Sequence, residues 1–237
     1  MCFVWMRGKI GSAHFEVIIS FLFFVGFVFF LFTTLSPNDT TLLPGSVGLG
    51  FYGSFVEMAN TNLTNVFLKA DYVGGCFYVE FPDELFGYVG VDDESYVVDL
   101  DGTVVDSEFS GNELSLEGGH GGFYRVALSP EFEDGGLGGC TPFEDYEIGA
   151  IIEKEVLSYG TLEEMTVRYY DDYEGLKLDL KIPAIFEFAI VPESLPFEME
   201  PLSGIPGSVE VSARSYVFEV LKSDGTITEE EFVLKVW

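Results

Sequence analysis

The sequence predicts an α+β protein, in which an N-terminal transmembrane helix precedes a mainly antiparallel, sandwich-like β domain with one later helix. Three observations lead to this class. Residues 17–35 form a run of 19 residues without charge. Between residues 65 and 128, short segments rich in Val, Phe and Tyr alternate with Gly, Asp and Pro, which is typical of antiparallel strands. After residue 160, apolar residues recur at helical spacing.

The N-terminal helix is predicted from the apolar run that begins at Val17. Up to Phe32 the run is interrupted only by Ser20 and Gly26. A helix of 19 residues is about 28 Å long, close to the roughly 30 Å of a bilayer's hydrocarbon core. A helix that is apolar on every face has no side to turn to water. The helix should end before Pro37, because proline cannot continue it.

The charges that flank the run predict its orientation. Arg7 and Lys9 precede it, whereas the residues that follow it are rich in carboxylates. Basic flanks remain on the cytoplasmic side, so the N-terminus is expected in the cytoplasm and the C-terminal domain outside the cell.

The residues around the start of the helix need a further explanation. A cleaved secretory signal would have a shorter apolar core and a small-x-small site, which residues 33–37 do not supply. An uncut signal anchor explains the length and orientation of the run. It does not explain Glu16, a carboxylate at the mouth of the membrane, or Gly11, which lies five residues before it.

Basic residues, Gly11, Glu16 and a long apolar helix together resemble the class III signal peptide of archaeal type IV pilins. The resemblance implies that a prepilin-type peptidase cuts between Gly11 and Ser12. It also implies that Glu16 neutralises the new terminal amine of a neighbouring subunit, either another copy or another pilin-like protein. The predicted segments are then a leader at 1–11 and an assembly helix at 12–36.

Composition limits the possible partners. The chain has 237 residues, a net charge of −29, and 40 acidic against 11 basic residues. Nucleic-acid binding is not expected, because it requires Lys and Arg to neutralise phosphates. No cofactor motif is found, and the expected partners are the peptidase, pilin-like subunits and the lipid bilayer.

Two kinds of covalent modification are predicted outside the membrane. Cys2 falls in the leader, which leaves Cys76 and Cys140 as an even pair that favours one disulfide, the alternative being two free thiols. Asn38 and Asn62 begin Asn-x-Thr sequons and are candidate glycosylation sites.

The exported chain is predicted to contain a linker and two regions. The Gly-rich residues 37–55 are interpreted as a linker that can add an edge strand. Residues 56–145 should form the sandwich-like region, and residues 146–237 an α+β region with a C-terminal hairpin. The predicted strands of both regions are 65–71, 76–81, 95–100, 104–109, 123–128, 148–157 and 185–191, with the hairpin at 209–221 and 232–237.

The later helix is predicted from about Leu162 to Leu178. Thr161 and Glu164 have the spacing of a capping box, with Thr161 as the N-cap. The apolar residues that follow at helical spacing are Leu162, Met165, Tyr169, Leu176 and Leu180.

One motif suggests an enzyme. Asp99-Leu-Asp101-Gly-Thr resembles the first motif of haloacid-dehalogenase-type phosphatases, in which the first Asp is the nucleophile, and Lys177 with Asp171-Asp172 could complete such a site. That fold needs a helix after the motif, whereas strand sequence follows here. Asp-Gly also favours hairpin turns, and it recurs at Asp224 between two predicted strands. The sequence therefore favours a hairpin and no catalytic site.

Metal binding is the last alternative for the acidic residues. The acidic group is Asp92, Asp93, Glu94, Asp99, Asp101 and Asp106. The carboxylate oxygens of these residues could coordinate calcium, but no stretch has the spacing of a calcium-hand loop. A solvent-exposed acidic surface is the simpler interpretation. His14 and His120 lack partners for a histidine-based site.

These observations together predict a membrane-anchored, outward-facing structural subunit of a type IV pilus-like assembly. A minor subunit is expected, because little stalk follows the helix and about 200 residues are bulky for a major subunit. The alternative is an uncut, signal-anchored surface module that binds a glycan or protein, and the phosphatase is the third possibility.

Overall fold

The computed structural model describes residues 10–34, 42–82, 87, 90, 92–119, 122–133 and 135–237. The chain divides into two compact units, Met1–Leu43 and Pro44–Trp237. The fold class is α+β with mainly antiparallel strands, as the sequence predicts.

The first unit contains helix α1, Ile10–Thr34. The structure describes its side chains from Val17 to Phe30, and all of them are exposed except the half-buried Val28. Over the described part of the chain, no helix has both the length and the apolar character needed to cross a membrane. Pro37, the predicted end of the helix, lies outside the described residues.

Helix α2, Leu42–Ala59, corrects the prediction of a linker at 37–55. Its glycines disfavour a helix, but Phe51, Phe55 and Ala59 recur every four residues and are fully buried. The energy of burying this face outweighs the weak local propensity. Pro44 lies in the first turn of α2. Backbone N–H groups in that turn have no partner within the helix, so the missing N–H of proline is tolerated there.

Among the described residues, twelve strands follow α2 in the sequence. They are β1 (Asn60–Ala70), β2 (Cys76–Glu80), β3 (Glu94–Asp99), β4 (Val104–Val105), β5 (Ser107–Ser110), β6 (Glu113–Glu117), β7 (Phe123–Ser129), β8 (Thr141–Pro142), β9 (Tyr146–Ser158), β10 (Phe188–Pro192), β11 (Ser212–Leu221) and β12 (Ile227–Val236). One sheet has the order β10-β12-β11-β9-β1-β7-β3-β4 and the other β5-β6-β2-β8. The β9–β11 and β2–β8 pairs are parallel, and the other pairs are antiparallel.

The strands β1, β3 and β7 share a hydrophobic core with the four-stranded sheet. Val66 and Val126 contribute to it from the larger sheet, and Phe77 and Leu116 from the smaller one. Alternate residues of each strand point into this core, which gives the sandwich-like arrangement.

Two strand predictions in this region need correction. The predicted strand 104–109 is interrupted at Asp106, and its two halves, β4 and β5, belong to different sheets. Strand β6 was not predicted, although Leu114 and Leu116 alternate with polar residues and are fully buried.

The predicted boundary between residues 145 and 146 does not separate two units. Strand β9 begins at Tyr146 and pairs with β1 over most of its length. At its end, Leu157 and Ser158 pair with β11, so one sheet runs through both regions. A second hydrophobic core lies where α2 and the helices between residues 159 and 179 pack on β10, β11 and β12.

The predicted later helix is present as two helices, α3 (Tyr159–Asp171) and α4 (Tyr173–Asp179). The break comes at Asp172, whose carboxylate accepts a hydrogen bond from the backbone N–H of Gly175 and starts a new helix. The predicted N-cap, Thr161, is wrong: the N-cap is Ser158, whose Oγ accepts from the N–H of Thr161 at 2.9 Å. All the apolar residues predicted for the buried face are buried.

The C-terminal hairpin of β11 and β12 is confirmed. Its turn contains Asp224 and Gly225, and Gly225 has a φ of +75°. Strand β12 lies between β10 and β11, so the last strand is inside the sheet.

Candidate functional site

The face of the larger sheet that points away from the sandwich core carries a groove of about 540 Å³. Strands β1, β7, β9 and β3 supply most of its lining residues. On β1 and β7, the residues that alternate with the core positions are Phe67, Lys69, Phe123 and Arg125. Side chains on a strand alternate between faces, so these four residues share the outer face.

The register of the strands places Arg125 at one end of the groove, on the strand between β1 and β3. Arg125 lies opposite Phe67 on β1 and opposite Val98 on β3. Phe123, two residues earlier on β7, is opposite Lys69. The residues opposite Arg125 on both neighbouring strands, and Phe123 on its own strand, are therefore apolar.

A β-bulge shapes one wall of the groove. The pairing of β1 with β9 shifts register between Val66 and Leu68, at the position of Phe67. Bulges re-aim side chains and are common beside functional sites. A Cβ on Gly149 would lie 3.3 Å from the carbonyl oxygen of Phe67, so a larger residue at this position of β9 would crowd the backbone of β1.

The acidic side chains of the groove are already engaged. Oδ1 of Asp99 accepts hydrogen bonds from the backbone N–H groups of Asp101 and Thr103, at 2.9 and 2.8 Å. Glu147 forms an ion pair with Lys69 at 3.3 Å. Arg125 is the basic group of the groove that these carboxylates leave unmatched.

A second cleft, of about 400 Å³, lies beside α3 and is lined by Tyr169, Tyr170 and Tyr173. The hydroxyl groups of the first two donate to the backbone carbonyls of Phe188 and Glu198, both at 2.9 Å. The hydroxyl of Tyr173 donates to Glu187. These hydroxyl groups bond to the protein itself and connect α3 and α4 to residues 187–198.

The predicted processing residues Gly11 and Ser12 and the assembly residue Glu16 lie within α1. Their side chains and that of His14 are outside the described part of the structure. The helix runs through the predicted cleavage point without a break in its backbone.

The phosphatase-like motif forms a hairpin turn between β3 and β4, as the turn interpretation predicts. Gly102 has a φ of +79°, a conformation that favours glycine. Lys177 and Asp172 were the candidates for completing a phosphatase site. Lys177 lies in α4, where its ammonium donates to Ala184 and Glu187, and Asp172 is the N-cap of the same helix.

The six acidic residues that were considered for calcium form no cluster of three or more metal-binding side chains among the described residues. Oδ2 of Asp93 accepts from the N–H of Gly90 at 2.7 Å. Burial, opposed by this hydrogen bond, raises the pKa of Asp93. His120 lies outside the described residues.

Cys76 and Cys140 form a disulfide in the structure, with their Cα atoms 4.7 Å apart. It joins the start of β2 to the residue before β8, which pair with each other in the smaller sheet. The side chain of Asn62 is exposed on β1, whereas Thr64 of the same sequon is buried. Glycosylation there stays a prediction, and Asn38 lies outside the described residues.

The groove residues were missed at the sequence level because their proximity depends on pairing between distant strands. A signal does exist: Phe67-x-Lys69 and Phe123-x-Arg125 place an aromatic and a basic residue on the solvent side of two strands. Polar or acidic residues are expected there in a chain with 40 acidic groups. Comparisons with protein-family models, curated proteins and solved structures find no match to this chain.

Proposed function

We propose that this protein is a membrane-anchored, outward-facing minor subunit of an archaeal type IV pilus-like assembly. The leader, residues 1–11, is cut by a prepilin-type peptidase. The helix that begins at Ser12 is held in the cell membrane, packs against other pilin-like subunits or further copies of the chain, and carries the acidic domain to the cell surface.

The exposed apolar surface of α1 is the observation that carries this proposal. Of the side chains from Val17 to Phe30, the large apolar ones other than Val28 are 38–76% exposed. Such a surface is costly in water and needs cover from lipid or from other apolar helices. The charge-free sequence continues to Leu35, which supports lipid as part of that cover.

Glu16 supports assembly with other subunits. A carboxylate inside an apolar helix bundle is costly unless it is paired with a cation. Cleavage after Gly11 creates a positive terminal amine on Ser12, which can supply that charge from a neighbouring subunit. An uncut chain has no such amine at this position.

N-terminal sequencing of the protein from its native host tests the proposal. The expected first residue is Ser12, and Gly11→Val should retain the leader because a bulky residue blocks the peptidase. Gly8→Val is the matched control, since it adds the same side chain within the leader and should be cut normally. A native chain that begins at Met1, or normal cutting of the Gly11 variant, would contradict the proposal.

The groove around Arg125 favours a second candidate function, an uncut, signal-anchored surface module that binds a ligand. Its apolar walls and exposed cation are features of binding sites. The same sequencing separates the two candidates, because the anchored module retains Met1.

A further inference from the structure

We infer that the groove binds a small ligand in which a six-membered ring carries one carboxylate. Two sources share this chemistry, a uronic-acid sugar and an aromatic acid. The carboxylate pairs with Arg125, and the ring lies against the apolar walls formed by Phe67, Phe123 and Val98. This inference concerns Pro44–Trp237 and holds whether or not the leader is cut.

Arg125 is exposed, and its charge can pair with an anion from outside the described protein. Among the described residues, no carboxylate oxygen forms an ion pair with its guanidinium. A neutral ligand that covered Arg125 would remove water from the cation and give no charge in return. A carboxylate can accept two parallel N–H bonds from the guanidinium, which gives both strength and orientation.

The rings of the groove indicate the body of the ligand. Phe67 and Phe123 are 43% and 44% exposed, so about half of each ring is available for contact. Flat apolar surfaces of this kind favour a ring, either aromatic or the C–H face of a sugar. The groove's volume of about 540 Å³ is within the usual range for small-molecule sites.

The charge of the whole chain disfavours a polyanion as the occupant. With a net charge of −29, the protein repels a ligand that carries many negative charges. A ligand with one negative charge experiences far less of this repulsion and can still be attracted by the positive charge of Arg125. The structure thus favours a small monoanion.

The test is a titration of the full-length chain in detergent micelles at about pH 7 and low salt. The side-chain N–H signals of Arg7, Arg125, Arg168 and Arg214 are followed by NMR, and the Arg125→Met variant identifies the signal of interest. The probes are methyl glucuronide and benzoate, with methyl glucoside and benzyl alcohol as their neutral counterparts. The Arg125 signal should shift and saturate with at least one acid, whose identity tells the two sources apart.

Two variants and one control complete the experiment. Arg125→Met should weaken binding of the acid at least about tenfold, the usual scale for a lost charge-assisted hydrogen bond. Phe123→Leu keeps the charge and should weaken binding by about threefold. Arg214→Met, an equal change of net charge at an exposed position of β11, should have no effect.

The inference is overturned if neither acid gives saturable binding, if the neutral probes bind as tightly as the acids, or if Arg214→Met weakens binding as much as Arg125→Met does. None of these results depends on where the native chain begins. The inference and the proposed processing therefore fail separately.

Discussion

Nζ of Lys177 lies 3.2 Å from Oε1 of Glu187, although the lysine side chain is only 3% exposed. The same nitrogen donates to the carbonyl of Ala184 at 3.2 Å and lies 5.7 Å from the centre of the Tyr173 ring. The hydroxyl of Tyr173 donates to the other oxygen of Glu187. A buried cation in α4 is thus tied to the residue that precedes β10.

Glu187→Gln should destabilise the protein by about 1–3 kcal/mol, because it leaves a buried ammonium group without its counter-charge. Glu219→Gln is the matched control: its carboxylate is equally exposed, 44% against 45%, but its partner Lys154 is 31% exposed. The control should cost less than about 1 kcal/mol. Urea unfolding at neutral pH measures both, and equal costs would show that burial of Lys177 has no energetic consequence.

The stability of the protein should fall as the pH rises above about 10. Burial, followed by the hydrogen bond to Glu187, raises the pKa of Tyr173. Burial, followed by nearby negative groups, raises the pKa of Tyr169. Above the ordinary tyrosine pKa of about 10, the unfolded chain releases these two protons and the folded chain keeps them, so unfolding becomes more favourable.

Replacing either tyrosine with Phe should make this alkaline decline shallower, by at most about 1.4 kcal/mol per pH unit for each residue. The measurement is the free energy of unfolding from pH 8 to pH 11 for the natural chain, Tyr169→Phe and Tyr173→Phe. Each variant is compared with itself at pH 8, where ordinary tyrosines are neutral, so the loss of the hydroxyl group's bonds cancels. If the free energy of unfolding fell equally with pH in all three proteins, that result would contradict the raised pKa values of the two tyrosines.

Loss of the disulfide should lower the stability by about 2–4 kcal/mol, since it closes a loop with a sequence separation of 64 residues. The variant is Cys76→Ser with Cys140→Ser, and Cys2→Ser is the control, which should leave the stability unchanged. A reducing agent should lower the unfolding midpoint of the natural chain and not that of the double variant. Two free thiols in the native protein, found by mass spectrometry, would count against the bond.

The buried face of α3 and α4 could be predicted because it depends on local spacing. Leu162, Met165 and Tyr169 follow the helical period within α3, and Leu176 resumes it after the break at Asp172. The N-cap of α3 could not be chosen from the sequence, because Ser158 and Thr161 are both good capping residues. A distant residue distinguishes them: Glu131 bonds to Ser158 and to the N–H of Gly160, one turn before the predicted start.

The groove and α2 could not be predicted, for two different reasons. Arg125, Phe67 and Val98 meet only because three strands pair in one register, and that pairing is not encoded in any local pattern. Helix α2 is hidden by its glycines, which favour a loop when judged by propensity alone. Its true signal is the four-residue spacing of Phe51 and Phe55, whose burial depends on the distant strands β10 and β12.

Gly53→Ala distinguishes a helix at α2 from the predicted linker. Gly53 is exposed in the helix interior, and no atom lies within 4 Å of the position that a Cβ would take. In a helix, alanine is favoured over glycine by about 1 kcal/mol, so the variant should raise the thermal midpoint. Gly102→Ala is the contrasting control: its φ of +79° strains any side chain, and it should lower the midpoint. The predicted linker at residues 37–55 would leave the midpoint of Gly53→Ala nearly unchanged, and that result would contradict the helix.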